Sequence, residues 1–249
     1  MPQAATAITI LEQLMDKVGA AHMAYWVTPN AILTLAGVRG YCDGVFWGPA
    51  QFVDQWQREI DTDIKELQKL TTVYMASSGV EEASPTERHA TYDLILRDGL
   101  DYVLAQTSLA RLDPDSLAQR TPEAFMETLS RTMAQQSGKT YSAEDFGHAA
   151  FGVIVGYPDA AITGMIEAVD PSVDPFAEPV IEADIRGATY YVCPQPIYEY
   201  PRHLATDPTI QAHEQLWSTI LKDFYTSDFH QKLVQDPAFQ AKLTALDIR

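Results

Sequence analysis

The feature that most constrains the fold is a run of apolar residues and glycines from Phe146 to Val155, interrupted only by His148. A helix that has no polar face cannot lie on a protein surface and is expected to be buried. Ser142 and Asp145 have the form of an N-cap and an acidic first turn, which favours a helix, although periodicity alone does not exclude a buried strand. We therefore expect a helix buried on all sides, with the remaining chain packed around it.

A tight corner, Gly156-Tyr157-Pro158, follows this run. Glycine readily adopts the left-handed conformation that ends many helices, and a proline just beyond it stops the helix. Asp159 then suits the N-cap of a second short helix. Because glycine and proline fix the corner, we expect the ring of Tyr157 to lean on the core while its hydroxyl meets a partner or a ligand.

Helix-capping residues followed by proline recur along the chain. This pairing is typical of helix N-termini, because a proline in the first turn leaves no helical hydrogen bond unmade. Ser84-Pro85-Thr86-Glu87 adds the glutamate of a capping box and predicts a helix that starts there. The same pairing occurs at Asp113-Pro114, Thr121-Pro122, Asp207-Pro208 and Asp236-Pro237. Apolar residues at helical spacing predict further helices over residues 8–18, 52–67 and 210–224.

Three segments fit the strands of one small antiparallel sheet. Residues 22–28 are rich in aromatic side chains, residues 71–76 fit a strand, and residues 180–193 have the pattern of a hairpin. The glycine-rich residues 40–49 fit either a loop or a sharply bent strand. The chain is thus predicted to have an α+β fold that is predominantly α-helical with a small antiparallel sheet. We expect one globular domain over residues 1–249, and the proline-rich residues 170–179 are the candidate for an internal boundary.

The charge of the chain bears on its partners. Its 249 residues carry a formal net charge of −17, which repels nucleic-acid backbones and anionic membranes. No segment reaches the roughly 20 apolar residues of a membrane span, and no secretory signal is visible. Two cysteines, Cys42 and Cys193, do not make a disulfide framework. These features predict a soluble, cytoplasmic protein with free thiols and with no nucleic-acid or membrane partner.

One candidate site pairs Cys42 with His148. A thiol in a glycine-rich segment and a histidine farther along the chain are the minimum for thiolate catalysis. The segments YCDGVFW, around Cys42, and HAAFGVIVG, which begins at His148, resemble the cysteine and histidine motifs of the small cell-wall cysteine peptidases. The resemblance implies a cysteine-dependent hydrolase or transferase in which these two residues are catalytic.

This chain departs from the peptidase pattern at both residues. In that family the cysteine opens a helix and the histidine begins a strand, whereas here the helix is predicted to start at Pro49 and His148 lies in a predicted helix. The alternative is a small buried thiol and a core histidine that is satisfied by hydrogen bonds. Burial would lower the pKa of His148 and keep its imidazole neutral, which suits either a ligand contact or a packed core.

A metal site is a weaker candidate. His203, His213 and Glu214, with Cys193, are metal-ligating residue types near one another in the sequence. His213 and Glu214 are adjacent on a predicted helix and point in different directions, and no zinc-binding spacing is matched. We therefore predict no metal and no cofactor.

Aromatic residues outside the helical stripes form the leading candidate for a site. Rings with polar tips at loop positions line small-molecule pockets and interaction surfaces, although they can also cap a core. The predicted ligand-binding residues are Tyr157, Trp26, Trp47, Tyr198, Tyr200 and His203. The leading hypothesis is a protein that binds a small molecule or a protein partner through an aromatic cleft near the Gly156-Tyr157-Pro158 corner. The sequence leaves open whether the protein is an enzyme.

Overall fold

The computed structural model describes residues 3–82, 88–111, 121–137, 142–168, 180–182 and 199–246. Within them, the helices are α1 (Gln3–Val18), α2 (Pro29–Leu35), α3 (Ala50–Leu70), α4 (Arg97–Gln106), α5 (Pro122–Ser137), α6 (Ala143–Val155), α7 (Asp159–Ala168), α8 (Pro208–Tyr225), α9 (Asp228–Leu233) and α10 (Pro237–Ala245). Short 3₁₀ segments cover Ala20–Tyr25 and Arg202–Thr206.

Two antiparallel sheets accompany the helices. Strands β1 (Tyr41–Gly48), β2 (Val73–Glu82) and β3 (Arg88–Leu96) form a sheet in the order β1-β3-β2. The short strands β4 (Val180–Glu182) and β5 (Glu199–Pro201) pair with each other. The predicted α+β class, dominated by helices and with a small antiparallel sheet, is confirmed.

The helix starts predicted from capping residues and proline are confirmed wherever those residues are described. Helices α5, α8 and α10 begin at the prolines that follow Thr121, Asp207 and Asp236. The Asp207 carboxylate accepts hydrogen bonds from the next backbone N–H groups, at 2.8 Å from Thr209 and 3.2 Å from Ile210. Each bond satisfies an N–H that the first turn of a helix leaves unpaired. The pair Asp113-Pro114 lies outside the described residues.

The predicted strand over residues 22–28 is wrong. The chain forms the 3₁₀ segment Ala20–Tyr25 there, and five consecutive side chains are buried from Met23 to Val27. A strand with one face on the core and one face in solvent would alternate buried and exposed positions. The aromatic side chains of this segment are instead enclosed from several directions by packed helices, which sequence composition does not reveal.

The helix predicted to start at the Ser84 capping box does not continue into the described residues that follow. Residues 83–87 lie outside the described residues, and the chain that follows is strand β3. Strand β3 is central in its sheet, where β1 pairs with it on one side and β2 on the other. Pairing with two neighbours outweighs a local capping signal, because propensity is a weak determinant beside tertiary contacts.

The strand predictions for residues 71–76 and 180–193 have different outcomes. The first is confirmed as the beginning of β2. The first three residues of the second are strand β4, whose partner is β5 and not the nearby return strand that a hairpin requires. The rest of that hairpin, with Cys193, and the candidate boundary at residues 170–179 lie outside the described residues. The single-domain expectation therefore stays a prediction.

Helix α6 is confirmed as a helix, but the expectation that it is buried on all sides is wrong. Glu144, His148 and Phe151 are exposed, and Phe151 retains 40% of its side-chain surface. These positions are separated by four and three residues, so they fall on one face of the helix. The sequence does not reveal this exposed face, because an exposed phenylalanine cannot be told from a core phenylalanine by its residue type.

The buried side chains form two hydrophobic clusters. The first joins α1, α2, α3 and α8 to α10 with much of the three-stranded sheet, and the second is built mainly from α4, α5 and α6. Tyr102 and Tyr157 pack against both clusters. The corner after α6 therefore lies where the two clusters meet. Within the described residues, no helix has the length and apolar character required to cross a membrane.

Candidate functional site

The corner after α6 is held by a glycine in the left-handed conformation. Gly156 has φ 85°, and its N–H donates to the Val153 carbonyl at 3.0 Å. The Tyr157 N–H donates to the Gly152 carbonyl at 2.9 Å. This pair of bonds is the Schellman arrangement, which satisfies the last carbonyls of a helix. The predicted left-handed position of Gly156 is confirmed.

Asp159 has a different role from the predicted N-cap of α7. It is the first residue of that helix, and its carboxylate accepts hydrogen bonds from the Thr107 hydroxyl at 2.6 Å and from the Ser108 N–H and hydroxyl at 2.7 Å each. The carboxylate therefore fastens the end of α4 to the start of α7. Residues of α4 and the first residue of α7 both border an open space.

That space is a cleft of about 400 Å³, which we call the corner cleft. Helix α4, the corner and helix α8 supply its walls. The lining is more apolar than polar, and its polar side chains include those of Gln106, Thr107, Asp159 and Thr209. The residues that give the cleft its rings and apolar surface are Tyr102, Val103, Tyr157, Pro158, His213 and Leu216.

Arg39 lies behind the wall of the corner cleft. Its guanidinium carbon is 5.8 Å from the centroid of the Tyr157 ring and 5.6 Å from that of the Trp217 ring. The two ring centroids are 6.5 Å apart, so the three side chains form a compact triangle. Each ring is close enough for a cation–π contact with the arginine.

Close backbone packing fixes the position of Arg39. A Cβ atom placed on Gly99 would lie 2.1 Å from the Arg39 carbonyl oxygen, so only glycine allows α4 to approach this closely. The N–H of Gly40 donates to the Ile154 carbonyl in α6 at 2.9 Å. The backbone of the arginine is therefore clamped between α4 and α6, and its side chain has little freedom to leave the corner.

His213 connects α8 to the corner. Its ring centroid is 4.2 Å from that of Trp217. Burial lowers the pKa of His213 to about 4, and the charge of Arg39 acts in the same direction, whereas a hydrogen bond with the Gly156 backbone opposes both. The imidazole is therefore neutral at pH 7. The wall of the cleft at this point is polar but uncharged.

Two of the predicted ligand-binding residues are buried and bonded inside the protein. Trp26 has no exposed surface, and its indole N–H donates to the Asp63 carboxylate at 2.8 Å. Tyr200 is buried, and its hydroxyl donates to Glu214 at 2.8 Å. Neither residue lines the corner cleft. Their polar groups serve the packing of the core and of α8.

The other predicted aromatic positions are dispersed. Trp47 lies at the far end of β1 with 52% of its surface exposed, and its ring packs on His89 with centroids 4.1 Å apart. His203 is exposed in the 3₁₀ segment Arg202–Thr206. Tyr198 lies outside the described residues. Of the predicted ligand-binding residues that are described, Tyr157 lines the corner cleft and the other four do not.

Cys42 and His148 have surroundings unlike those of a catalytic pair. Cys42 is fully buried in strand β1, and this burial raises the pKa of its thiol to about 12. A reactive cysteine is partly exposed and has a lowered pKa. His148 is exposed on α6, so the expectation that its imidazole is buried is wrong.

The candidate metal ligands do not converge. Glu214 accepts the hydrogen bond from Tyr200, whereas the ring of its neighbour His213 packs on Trp217. Cys193 lies outside the described residues. Among the residues that the structure describes, no group of three or more histidine, cysteine, aspartate or glutamate side chains is placed to hold a metal ion.

Sequence reasoning missed Arg39 and the contribution of α4. One signal was present, because Arg39 is the only charged residue between Pro29 and Cys42, in a segment that is otherwise apolar or glycine-rich. A charge in such a segment is either buried or placed at a site. Tyr102 gave no comparable signal, since it reaches the cleft only through packing between distant segments.

Comparison with known proteins assigns no family to this chain. The chain matches no protein-family model, and no curated protein or solved structure is similar enough to count as a match.

Proposed function

We propose that this protein binds a small, largely apolar molecule in the corner cleft. The observation that carries the proposal is the cleft itself, a space of about 400 Å³ at a rigid corner between two hydrophobic clusters. Small-molecule sites have volumes of roughly 300–1,000 Å³ and combine apolar walls with a few placed polar groups. The rings of Tyr102 and Tyr157, with the uncharged imidazole of His213, give this cleft both kinds of surface.

A small molecule suits the corner cleft better than a protein partner does. Specific protein interfaces cover about 800 Å² on each partner, whereas a concave space of this size encloses one small compound. Catalysis by Cys42 is not favoured by its geometry, since the thiol is fully buried and its pKa is raised to about 12. We therefore place the binding function first.

The test is a fragment screen by ligand-observed NMR on the wild-type protein and on Leu216→Trp. Leu216 lines the cleft, and an indole at this position fills part of it. We expect the fragments that bind the wild type to lose at least about tenfold in affinity, or about 1.4 kcal/mol, in Leu216→Trp. The matched control is Leu243→Trp, because Leu243 is also a partly buried leucine at the edge of the first cluster. It should keep every fragment.

Tyr157→Phe gives a finer version of the same test. The substitution removes one hydroxyl and keeps the ring, so the free energy of unfolding should change by about 1 kcal/mol or less. If the hydroxyl contacts the bound molecule, the loss of binding free energy for the fragments should exceed the loss of unfolding free energy. Fragments that bind Leu216→Trp as well as they bind the wild type, or a screen without any bound fragment, would contradict the proposed function.

A further inference from the structure

Arg39 is a buried charge that the described protein leaves only partly compensated. It is 2% exposed, and its Nε donates to the Tyr41 carbonyl at 2.7 Å. Its Nη1 is buried and has no hydrogen-bond partner among the described residues. No ion pair within 4.0 Å joins Arg39 to a carboxylate in the described part of the chain.

The contacts that Arg39 does make are weaker than the cost of its burial. Removing a guanidinium from water is costly unless the charge is paired and its N–H groups are bonded. The Tyr157 and Trp217 rings offer cation–π attraction at 5.8 and 5.6 Å, and Asp43 attracts the charge through space without contact. None of these satisfies Nη1. The position is therefore prepared for an anion.

The corner cleft is lined by a side chain that contacts Arg39, although Arg39 itself is not part of the lining. Tyr157 and His213 line the cleft, and the Arg39 guanidinium lies behind them, beside the Tyr157 ring. No lysine or arginine is among the residues that line the described cleft. The lining carboxylate, Asp159, already accepts three hydrogen bonds at the other side of the corner.

On the basis of the proposed function, we propose that the molecule bound in the corner cleft is an apolar monocarboxylic acid whose carboxylate is the counter-ion of Arg39. The apolar body packs against Val153, Tyr157 and Leu216, and the carboxylate points to the corner. A carboxylate fits better than a phosphate, because a doubly charged group costs more to remove from water and the cleft is mainly apolar. Binding changes no covalent bond.

The test compares 2-naphthoate with its neutral carboxamide, 2-naphthamide. The dissociation constant of each is measured from the backbone amide shifts of Gly156 and Tyr157 in ¹⁵N-labelled protein. We expect the acid to bind at least about tenfold more tightly than the amide. Arg39→Met should abolish this preference while the amide still binds, and Arg39→Lys should keep part of it, because lysine retains the charge without the planar fork.

Arg97→Met is the matched control. The Arg97 guanidinium also lies over a tyrosine ring, 5.9 Å from the centroid of Tyr74, but it is paired with Asp101, and Tyr74 is not among the lining residues of the corner cleft. This variant should keep the full preference for the acid. 2-Naphthyl phosphate is the third probe, and it should bind more weakly than 2-naphthoate.

A measurement on the wild type keeps the proposal testable even if Arg39→Met does not fold. The carboxyl group of ¹³C-labelled 2-naphthoate should titrate at a lower pH when bound than when free, because Arg39 favours its ionised form. An unchanged or raised pKa of the bound carboxyl group overturns the proposal. Equal affinity for the acid and the amide, or tighter binding of the phosphate than of the acid, also overturns it. Equal affinity leaves the proposed function intact, whereas the absence of binding by every probe contradicts both.

Discussion

At the scale of single residues, surroundings decide which chemistry a side chain can perform. Burial raises the pKa of the Cys42 thiol to about 12. The thiol is therefore protonated at neutral pH, whereas the thiolate is the reactive form. Arg39 is the opposite case, because its charge persists when it is buried and must be met by other groups. We therefore propose Arg39, and not Cys42, as the side chain that acts on a ligand.

The exposed position of His148 gives the first prediction. His148→Asp should change the free energy of unfolding by less than about 0.5 kcal/mol, since surface substitutions away from special features have small effects. The measurement is urea unfolding followed by circular dichroism. If His148 were fully buried, the same substitution would place an unpaired charge in the core and would cost far more.

Ala150→Asp is the control for this prediction, because Ala150 lies in the same helix with no exposed surface. It should cost several kcal/mol or prevent folding, as an unpaired buried carboxylate does. If His148→Asp were as damaging as Ala150→Asp, the face of α6 that carries Glu144 and Phe151 would have to be covered in the folded protein.

At the scale of elements, the sequence predicts what is fixed locally. Helix starts at Pro122, Pro208 and Pro237 depend on a cap and a proline within a few residues, and all three were predicted. Strand β3 depends on pairing with β2, which precedes it directly, and with β1, which lies about forty residues earlier. The capping pattern at Ser84 therefore predicted a helix where the chain forms a strand. Local signals identify helix ends, whereas the sheet requires contacts that a single sequence does not display.

The glycine at the end of α6 gives the second prediction. Gly156→Ala should destabilise the protein by at least about 1–2 kcal/mol, because an L-residue in the left-handed conformation is strained. Its Cβ would also lie 2.9 Å from a Val103 methyl group and 3.2 Å from the Val38 carbonyl oxygen. Thermal and urea unfolding measure the loss.

Gly147→Ala is the same substitution in the same helix and should have the opposite sign. Apart from the chain neighbours and the backbone of the helix itself, no atom lies within 4 Å of a Cβ at Gly147. Alanine is favoured over glycine inside a helix by about 0.5–1 kcal/mol. A stability of Gly156→Ala at or above that of Gly147→Ala would mean that the corner does not need the left-handed glycine.

At the scale of the whole molecule, a cleft near the corner was predicted, but most of the residues that form it were not. Gly156 and Pro158 specify the turn locally, so the position of Tyr157 followed from the sequence. The opposite wall comes from α4 and α8, and the charge behind it comes from Arg39, more than one hundred residues before the corner. A site made by bringing such segments together needs the packing of both hydrophobic clusters, which composition and periodicity do not reveal.

A second polar network joins distant parts of the chain. The fully buried Asp63 in α3 accepts hydrogen bonds from His22 Nδ1 at 2.6 Å and from the Trp26 indole. One turn earlier, Glu59 accepts from the Tyr25 hydroxyl at 2.5 Å and from Lys242 in α10. The network therefore fastens the segment after α1 and the C-terminal helix to the same face of α3.

The ion pair within this network makes stability depend on pH. The hydrogen bond that His22 donates to Asp63 raises the pKa of His22 above its usual value of 6.5, despite the opposing effect of burial. A raised pKa means that the folded state holds the proton more tightly than the unfolded chain does. The added stability is fully present below the unfolded pKa and is lost as the pH rises through the folded pKa.

We therefore predict that His22→Gln lowers the free energy of unfolding by more at about pH 6 than at about pH 9. Burial raises the pKa of Asp63, so the comparison is kept at pH 6 or above, where its carboxylate is more fully ionised. Urea unfolding at the two pH values measures the difference, and NMR titration of the His22 ring protons measures its pKa. In Asp63→Asn the ring should titrate at a lower pH than in the wild type. A wild-type pKa at or below 6.5, or equal losses at both pH values, would mean that the pair is a neutral hydrogen bond that contributes no pH dependence.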